Sequence, residues 1–312
     1  MLDPQAQALL DLIRQRNIPS THELSPPEAR RAYRDRRTFS QPAPPDVASV
    51  RDIAVPGPGG DITLREYRPA GSAAVQVLPA LVYFHGGGWV IGDLDTHDVL
   101  CRELANGAGC AVYAVDYPLG PEHRFPAAID DALAATRWVF ANAAKLALDA
   151  ARVALGGDSA GGNITAAVTL ALRDAGHAPQ PAFQLLIYPS TDMHGTSTSH
   201  RENGAGYLLT REVIDYFQGH YVDAAQYNDW RASPLLAASH AGLPPALVLT
   251  AGYDPLRDEG LAYADKLSTA GVPTQYVCFA RQIHGFILMG RVIDEANTAV
   301  RLCADALRRA LR

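Results

Sequence analysis

A glycine-flanked serine is the residue of this chain best placed to act as a nucleophile. Residues 157–161 read Gly-Asp-Ser-Ala-Gly and follow the short apolar run 153–155. This G-x-S-x-G pattern is typical of a tight turn between a strand and a helix, which exposes the serine hydroxyl above a sheet. Glycine suits both flanking positions because a Cβ there would clash with the neighbouring backbone. Ser159 is therefore the candidate nucleophile.

A serine hydroxyl needs a base that removes its proton, and the base needs a carboxylate that fixes its tautomer. In folds that use this turn, the acid and then the histidine follow the serine along the chain. Asp254 directly follows one predicted strand, and His284 directly follows the next and last one. We therefore predict a catalytic triad of Ser159, Asp254 and His284. Asp258 and Glu259 are expected in the first turn of a helix, where acidic side chains complement the helix dipole.

A second glycine-rich segment could supply hydrogen-bond donors. Residues 85–88 read His-Gly-Gly-Gly and follow the predicted strand 81–84. Acyl transfer develops negative charge on the carbonyl oxygen, and donors aimed at that position stabilise it. We predict that the backbone N–H groups of Gly86, Gly87 and Ala160 form this oxyanion hole, with His85 bracing the loop. The segment matches no phosphate-binding glycine pattern.

The composition excludes several other classes of protein. The 312 residues are 48% hydrophobic and carry a net charge of −6. The densest basic segment, residues 30–37, is interrupted by acidic and apolar residues, which favours a solvated helix face over a nucleic-acid-binding surface. No apolar stretch is long enough to span a membrane, and no signal-peptide pattern opens the sequence, so we expect a cytoplasmic protein. The four cysteines lack metal-binding spacing and are expected to be core thiols.

Strand and helix signals alternate through the middle and C-terminal parts of the chain. This alternation predicts an α/β fold with a mostly parallel central sheet of about eight strands flanked by helices. The predicted strands cover residues 62–67, 81–84, 111–115, 153–155, 183–188, 246–250 and 275–279, and the predicted helices cover 126–142, 160–174, 257–270 and 291–311.

Two segments depart from the alternation. Residues 1–45 have the pattern of one or two amphipathic helices, with a disordered arm as the alternative, and residues 192–235 are polar and aromatic with a helix near 210–221. Excursions of this kind lie at the carboxyl edge of the sheet, where ligands bind. We therefore predict a helical cap (1–45 and 192–235) over a catalytic domain (46–191 and 236–312). The side chains predicted to contact the substrate are Trp89, Tyr188, Tyr207 and Leu208, with Leu209 and Tyr216 as further cap candidates.

These segments together resemble the bacterial hormone-sensitive-lipase-like family of α/β-hydrolase carboxylesterases. The resemblance rests on residues 85–98, 157–163, 254–260 and 284–286. It implies the α/β-hydrolase fold with a helical cap, the triad and oxyanion hole named above, and hydrolysis of short-to-medium acyl esters with no cofactor and no metal.

One loop departs from the family's common pattern. Residues 116–122 read Asp-Tyr-Pro-Leu-Gly-Pro-Glu, whereas the family commonly has Asp-Tyr-Arg-Leu-Ala-Pro-Glu. Pro118 therefore replaces an arginine that would supply several hydrogen-bond donors. The sequence leaves open what anchors this loop.

Other functions remain as alternatives. A hydrolase of the same fold could act on amides, lactones or longer-chain lipids, although the polar segment 192–235 is unlike the long apolar lid of an interfacial lipase. A non-catalytic receptor on this scaffold would be expected to lack the nucleophile or the base. The partner is expected to be a small-molecule ester, and a homodimer could form through the last strand because exposed sheet edges invite pairing.

Overall fold

The computed structural model describes residues 1–176 and 178–312 and confirms the α/β prediction. The strands of its sheet are β1 (Ser49–Gly57), β2 (Gly60–Arg68), β3 (Leu78–Phe84), β4 (Ala111–Asp116), β5 (Leu148–Asp158), β6 (Phe183–Ile187), β7 (Ala246–Tyr253) and β8 (Thr274–Ile283). The α-helices are α1 (Pro4–Gln15), α2 (Pro26–Ser40), α3 (Asp98–Ala108), α4 (Ala127–Ala141), α5 (Ala160–Asp174), α6 (Thr198–Glu202), α7 (Arg211–Tyr221), α8 (Arg257–Thr269) and α9 (Asp294–Ala310).

The sheet is mostly parallel, with an antiparallel hairpin at one edge. Its eight strands follow the order β1-β2-β4-β3-β5-β6-β7-β8, and β2 is antiparallel to both β1 and β4. Strand β8 forms the opposite edge, as predicted for the last strand. All five residues of β6 are buried, which explains the apolar run at residues 185–187.

Apolar side chains form a core on each face of the sheet. Helices α3 and α9 cover one face, and α4 and α5 cover the other. The thiols of Cys101, Cys110 and Cys303 lie in the first core, which confirms their prediction as core thiols, whereas Cys278 on β8 is half-buried. Within the described residues, no helix has the length and apolar content that a membrane crossing requires.

The sequence prediction missed one strand, β1, and two helices, α3 and the short α6. Strand β1 is an edge strand whose residues are mostly exposed, and it carries Arg51, Asp52 and Pro56, which are poor strand signals. Helix α3 had a usable signal, because Leu100, Leu104 and Ala108 are buried at a spacing of one helical turn. Helix α9 begins at Asp294 rather than at residue 291.

The N-terminal segment folds into two capped helices, so the alternative of a disordered arm is wrong. The carboxylate of Asp3 accepts hydrogen bonds from the backbone N–H groups of Gln5 and Ala6, which opens α1. At the start of α2, the side chain of Glu28 accepts hydrogen bonds from the backbone N–H and the hydroxyl of Ser25. Caps of this kind satisfy N–H groups that lack partners within the helix.

Helix α2 supplies the anchor for the loop that lacks the family's arginine. Nε of Arg30 donates to the carbonyl oxygen of Val90 at 2.8 Å, and Nη2 donates to that of Gly120 at 2.7 Å. The same guanidinium forms an ion pair with Glu122 at 2.6 Å. The hydroxyl of Tyr117 adds a hydrogen bond of 2.6 Å to the carbonyl oxygen of His85. An arginine distant in sequence therefore holds the loop that contains Pro118.

Removing this anchor should destabilise the protein. We expect Arg30→Ala to lower the free energy of unfolding by about 1.5–3 kcal/mol, because several hydrogen bonds to a charged group are lost. Arg31, the neighbouring and exposed arginine, is the matched control, and Arg31→Ala should change stability by less than about 0.5 kcal/mol. Urea denaturation followed by circular dichroism measures both, and equal effects would contradict the anchor.

Candidate active site

Ser159 lies in a strained turn between β5 and α5. Its backbone has φ 56° and ψ −115°, a conformation that residues other than glycine rarely adopt. The backbone N–H of Ser159 donates to the carbonyl oxygen of Ile187 on β6 at 2.8 Å. A Cβ on Gly161 would overlap the carbonyl oxygen of Phe84, and one on Gly157 would overlap the backbone of Gly161. Both glycines are therefore required by the close approach of β3 to the turn.

The structure brings together the serine, the histidine and the aspartate that the sequence singles out. His284 Nε2 lies 2.9 Å from Ser159 Oγ, and His284 Nδ1 lies 2.7 Å from Asp254 Oδ2. The other carboxylate oxygen of Asp254 accepts a hydrogen bond from the N–H of Leu256 at 2.8 Å. Asp254 is fully buried. This geometry allows the imidazole to take a proton from the hydroxyl while the carboxylate holds its orientation.

Asp258 and Glu259 lie in the first turn of α8, as the sequence predicts, and bind elsewhere. Asp258 accepts a hydrogen bond from the N–H of Ser199 at 2.8 Å. Glu259 is buried, accepts from the N–H of Thr191 at 2.7 Å, and lies 2.8 Å from Nε2 of His200. These contacts attach the segment that contains α6 to α8, a role that the sequence prediction missed because the partners are far apart in the chain.

The glycine-rich loop corrects one predicted donor. The N–H of Gly86 already donates to Asp158 Oδ1 at 2.9 Å, so the prediction of Gly86 as an oxyanion donor is wrong. Gly87 and Gly88 have φ values of +122° and +58°. In the described part of the chain, the N–H groups of Gly87 and Gly88 donate to no acceptor. The N–H of Ala160 opens α5 and has no acceptor within the helix.

Asp158 is a buried carboxylate behind the glycine-rich loop. Its Oδ1 accepts hydrogen bonds from the Tyr83 hydroxyl at 2.7 Å and from the N–H of Gly86, and it lies 3.2 Å from His97 Nε2. Burial opposes its charge, but His97 and the surrounding donors hold the pKa of Asp158 below its usual value. The sequence prediction did not single out Asp158 or His97, although Asp158 lies inside the serine motif.

His85 has the structural position that the sequence predicts. Its ring stacks on Tyr117 with the ring centroids 4.2 Å apart, and its Nδ1 lies 2.8 Å from the carbonyl oxygen of Gly86. Burial lowers the pKa of His85 to about 4. The imidazole is therefore neutral at physiological pH and braces the loop.

A cavity of about 790 Å³ lies over Ser159 and His284. Trp89, Tyr188, Tyr207, Leu208 and Leu209, all named from the sequence, line it. Tyr216 is absent from the lining, and its ring packs on His220 with the centroids 4.4 Å apart. Most of the remaining wall comes from residues that the sequence prediction did not name, including Leu9, Ile13, Tyr33 and Arg36 of the N-terminal helices and Val213 and Phe217 of α7.

Comparison with known proteins identifies similar enzymes. A family model described as the alpha/beta hydrolase fold matches residues 81–288. The chain is 42% identical over 292 residues to the carboxylic ester hydrolase LipN of Mycobacterium tuberculosis, covering 92% of this chain and 77% of LipN. It is 36% identical over 316 residues to an ethyl acetate hydrolase of Pseudomonas putida, covering 99% of both chains.

Solved structures are similar over the whole length. An α/β hydrolase enzyme from the metagenome of Lake Arreo is 46% identical, has a TM-score of 0.96, and is matched over 99% of this chain and 98% of its own. A thermostable esterase from Pseudomonas putida is 36% identical, with a TM-score of 0.95 over 100% of this chain and 98% of its own.

The buried neutral His85 should make stability depend on pH. The folded pKa of about 4 lies below the ordinary value of 6.5, so between these pH values the unfolded chain binds more protons. The contribution of neutral His85 to the free energy of unfolding is fully present above pH 6.5. This contribution, up to about 3 kcal/mol, is lost as the pH falls towards 4. Thermal unfolding between pH 7.5 and 4.5 should show a smaller loss of stability for His85→Asn than for the wild type.

The exposed His123 supplies the control for this measurement. His123→Asn should keep the pH dependence of the wild type. Identical slopes for the wild type and His85→Asn would contradict the assignment.

Proposed function

The chain belongs to the α/β-hydrolase family and is a carboxylesterase, and we propose that it hydrolyses short-to-medium acyl esters through an acyl-enzyme on Ser159. The observation that carries this proposal is the pair of hydrogen bonds that join Ser159 to His284 and His284 to Asp254, at 2.9 and 2.7 Å. The ethyl acetate hydrolase of Pseudomonas putida aligns with 99% of this chain, and this similarity supports a short acyl group.

In the proposed mechanism, His284 accepts the hydroxyl proton as Ser159 Oγ attacks the ester carbonyl carbon. Asp254 orients the imidazole and stabilises the imidazolium that forms. The protonated His284 then gives the proton to the leaving alcohol, which departs and leaves the acyl group on Ser159. A water molecule, activated by the same imidazole, releases the acid.

The proposed oxyanion hole consists of the N–H groups of Gly87, Gly88 and Ala160. The free N–H groups of the two glycines and the position of Ala160 at the start of α5 support this choice. The positive φ values of Gly87 and Gly88 favour glycine, and glycine leaves this part of the cavity without a side chain. Donors fixed in this way need no reorganisation when charge develops on the carbonyl oxygen.

We also propose that residues 1–45 and 192–235 act as a cap, because both segments line the cavity over Ser159. Trp89 and Tyr188 would contact the substrate near the reacting carbonyl. The Tyr188 and His284 ring centroids are 4.6 Å apart, and the indole of Trp89 stacks on Tyr221 at 4.6 Å. Tyr207 and Leu208 would contact the substrate from the cap.

Two further features stay predictions. A homodimer would form through the exposed edge of β8, and the protein would be cytoplasmic. Light scattering after gel filtration tests the first, since a dimer doubles the mass of one chain.

Removal of the proposed nucleophile should abolish turnover. We expect Ser159→Ala to lower kcat for p-nitrophenyl butyrate by at least about 10⁴-fold, because the covalent step is lost. Ser239→Ala, at an exposed serine, is the control and should retain full activity. Release of p-nitrophenol by the alanine variant at the wild-type rate would disprove the assignment of Ser159.

A side chain in the proposed oxyanion loop should slow the chemical step. A Cβ on Gly88 would overlap the ring of Phe217 and displace the loop. We expect Gly88→Ala to lower kcat by about 10²-fold, the scale of one lost oxyanion donor. Gly242→Ala is the control, because Gly242 also has a positive φ but its Cβ would meet only Arg173 at 3.7 Å. Equal activity in the two variants would argue against the donor role.

A further inference from the structure

We propose that Arg36, in an arginine-rich wall of the cavity, binds a carboxylate that the substrate carries in addition to its scissile ester. The wall is defined by Arg14, Arg16, Arg36 and Arg37, which all line the cavity. The inference rests on the proposed function, since the cavity is taken as the substrate site. It specifies the class of ester that this site accepts.

The charge of the cavity wall contrasts with that of the whole chain. The chain carries a net charge of −6, yet four arginines line the cavity and only two carboxylates do. Asp158, one of these carboxylates, is already occupied by Tyr83 and Gly86. Glu212, the other one, lies in the first turn of α7, where a carboxylate complements the positive end of the helix dipole. Arg14 pairs with Asp11 at 2.8 Å, and Arg37 donates to the carbonyl oxygen of Asp95 at 2.7 Å. Among the described residues, Arg16, Arg36 and Arg37 have no acidic partner, so part of the wall presents unpaired positive charge.

Arg36 is the arginine of this wall that we expect to bind an anion. Two other arginines of the same helix have acidic partners, since Arg30 pairs with Glu122 and Arg34 pairs with Asp93. Arg36 forms no ion pair with any described residue, and its Nη2 reaches only the carbonyl oxygen of Pro19, at 3.4 Å. Its side chain is half-buried.

A half-buried cation without a counterion is unfavourable. Burial lowers the pKa of the Arg36 guanidinium, with a small opposing effect of Tyr33. A planar guanidinium presents a fork of N–H donors that matches a carboxylate, and the bonds strengthen where water is excluded. An anionic group of the substrate would supply the missing counterion.

The position of Arg36 sets the spacing between the carboxylate and the reacting ester. Tyr33 precedes Arg36 by about one helical turn, and its ring centroid lies 6.5 Å from that of His97. His97 contacts Asp158, the residue before Ser159. Arg36 lies about 5 Å further along the helix, one turn beyond Tyr33. Arg36 and Ser159 line the same cavity, so a substrate that binds both residues carries its carboxylate apart from its scissile carbonyl.

Matched pairs of substrates test this inference. The first pair is the mono-p-nitrophenyl ester of adipic acid and p-nitrophenyl hexanoate, which share the acyl length and differ in the terminal carboxylate. In the second pair the anion lies on the alcohol side: the butyrate ester of p-hydroxybenzoate and the same ester with its carboxylate methylated. The measured quantity is the ratio of kcat/KM for the anionic ester to that for the neutral ester.

We expect Arg36→Gln to lower this ratio about tenfold in at least one pair, because one charge-assisted interaction is lost. Arg36→Lys keeps the charge without the planar fork and should restore part of the ratio. Arg31→Gln is the matched control, since Arg31 is exposed on the same helix and does not line the cavity, and it should leave the ratio unchanged. The pair that responds identifies the side of the ester that carries the carboxylate.

Failure of this inference is distinguishable from failure of the proposed function. If neutral esters are hydrolysed and Arg36→Gln leaves the ratio unchanged in both pairs, the carboxylate site is wrong and the esterase assignment stands. If the wild type hydrolyses none of the four esters, the proposed function itself is wrong.

Discussion

The close approach of the β3 backbone to the turn that holds Ser159 is the constraint on which the rest of the structure depends. The carbonyl oxygen of Phe84 occupies the space that a side chain on Gly161 would need. This contact is possible only because β3 and β5 are neighbouring parallel strands that end at the same level, with Phe84 paired to Gly157. The positive φ of Ser159 is maintained by this packing and by the hydrogen bond to β6. The same approach brings the glycine-rich loop after β3 beside the serine.

A buried carboxylate joins the turn to the loop. Asp158 would be costly to bury as an isolated charge, but Tyr83, Gly86 and His97 surround it with polar partners. The N–H of Gly86 donates to this carboxylate and so holds the loop in place. Gly87 and Gly88 line the cavity, and their N–H groups have no acceptor in the described part of the chain. Asp158 therefore supports the loop of the proposed oxyanion hole through the N–H of Gly86.

Helix α2 uses its arginines in two ways. Arg30 and Arg34 pair with acidic residues and hold the helix against the loops that follow β4 and β3, which compensates for the proline at position 118. Arg36 lines the cavity and has no acidic partner among the residues that the structure describes. An arginine-rich helix is easily interpreted as a solvated face, as the sequence suggested for residues 30–37. The tertiary structure separates these residues, because side chains one position apart lie on different sides of a helix.

The sequence by itself determined seven of the eight strands, the order of serine, aspartate and histidine, and their positions after β5, β7 and β8. Local patterns suffice there, because parallel strands bring the loops at their carboxyl ends together. Strand β1 and the wall formed by the N-terminal helices were not predictable in the same way, since an exposed edge and a cavity depend on contacts between distant residues. Only the tertiary structure decided that Gly86 is occupied while Gly88 is free. A motif fixes the order of N–H groups along the chain, whereas the packing of distant segments determines which acceptors these groups meet.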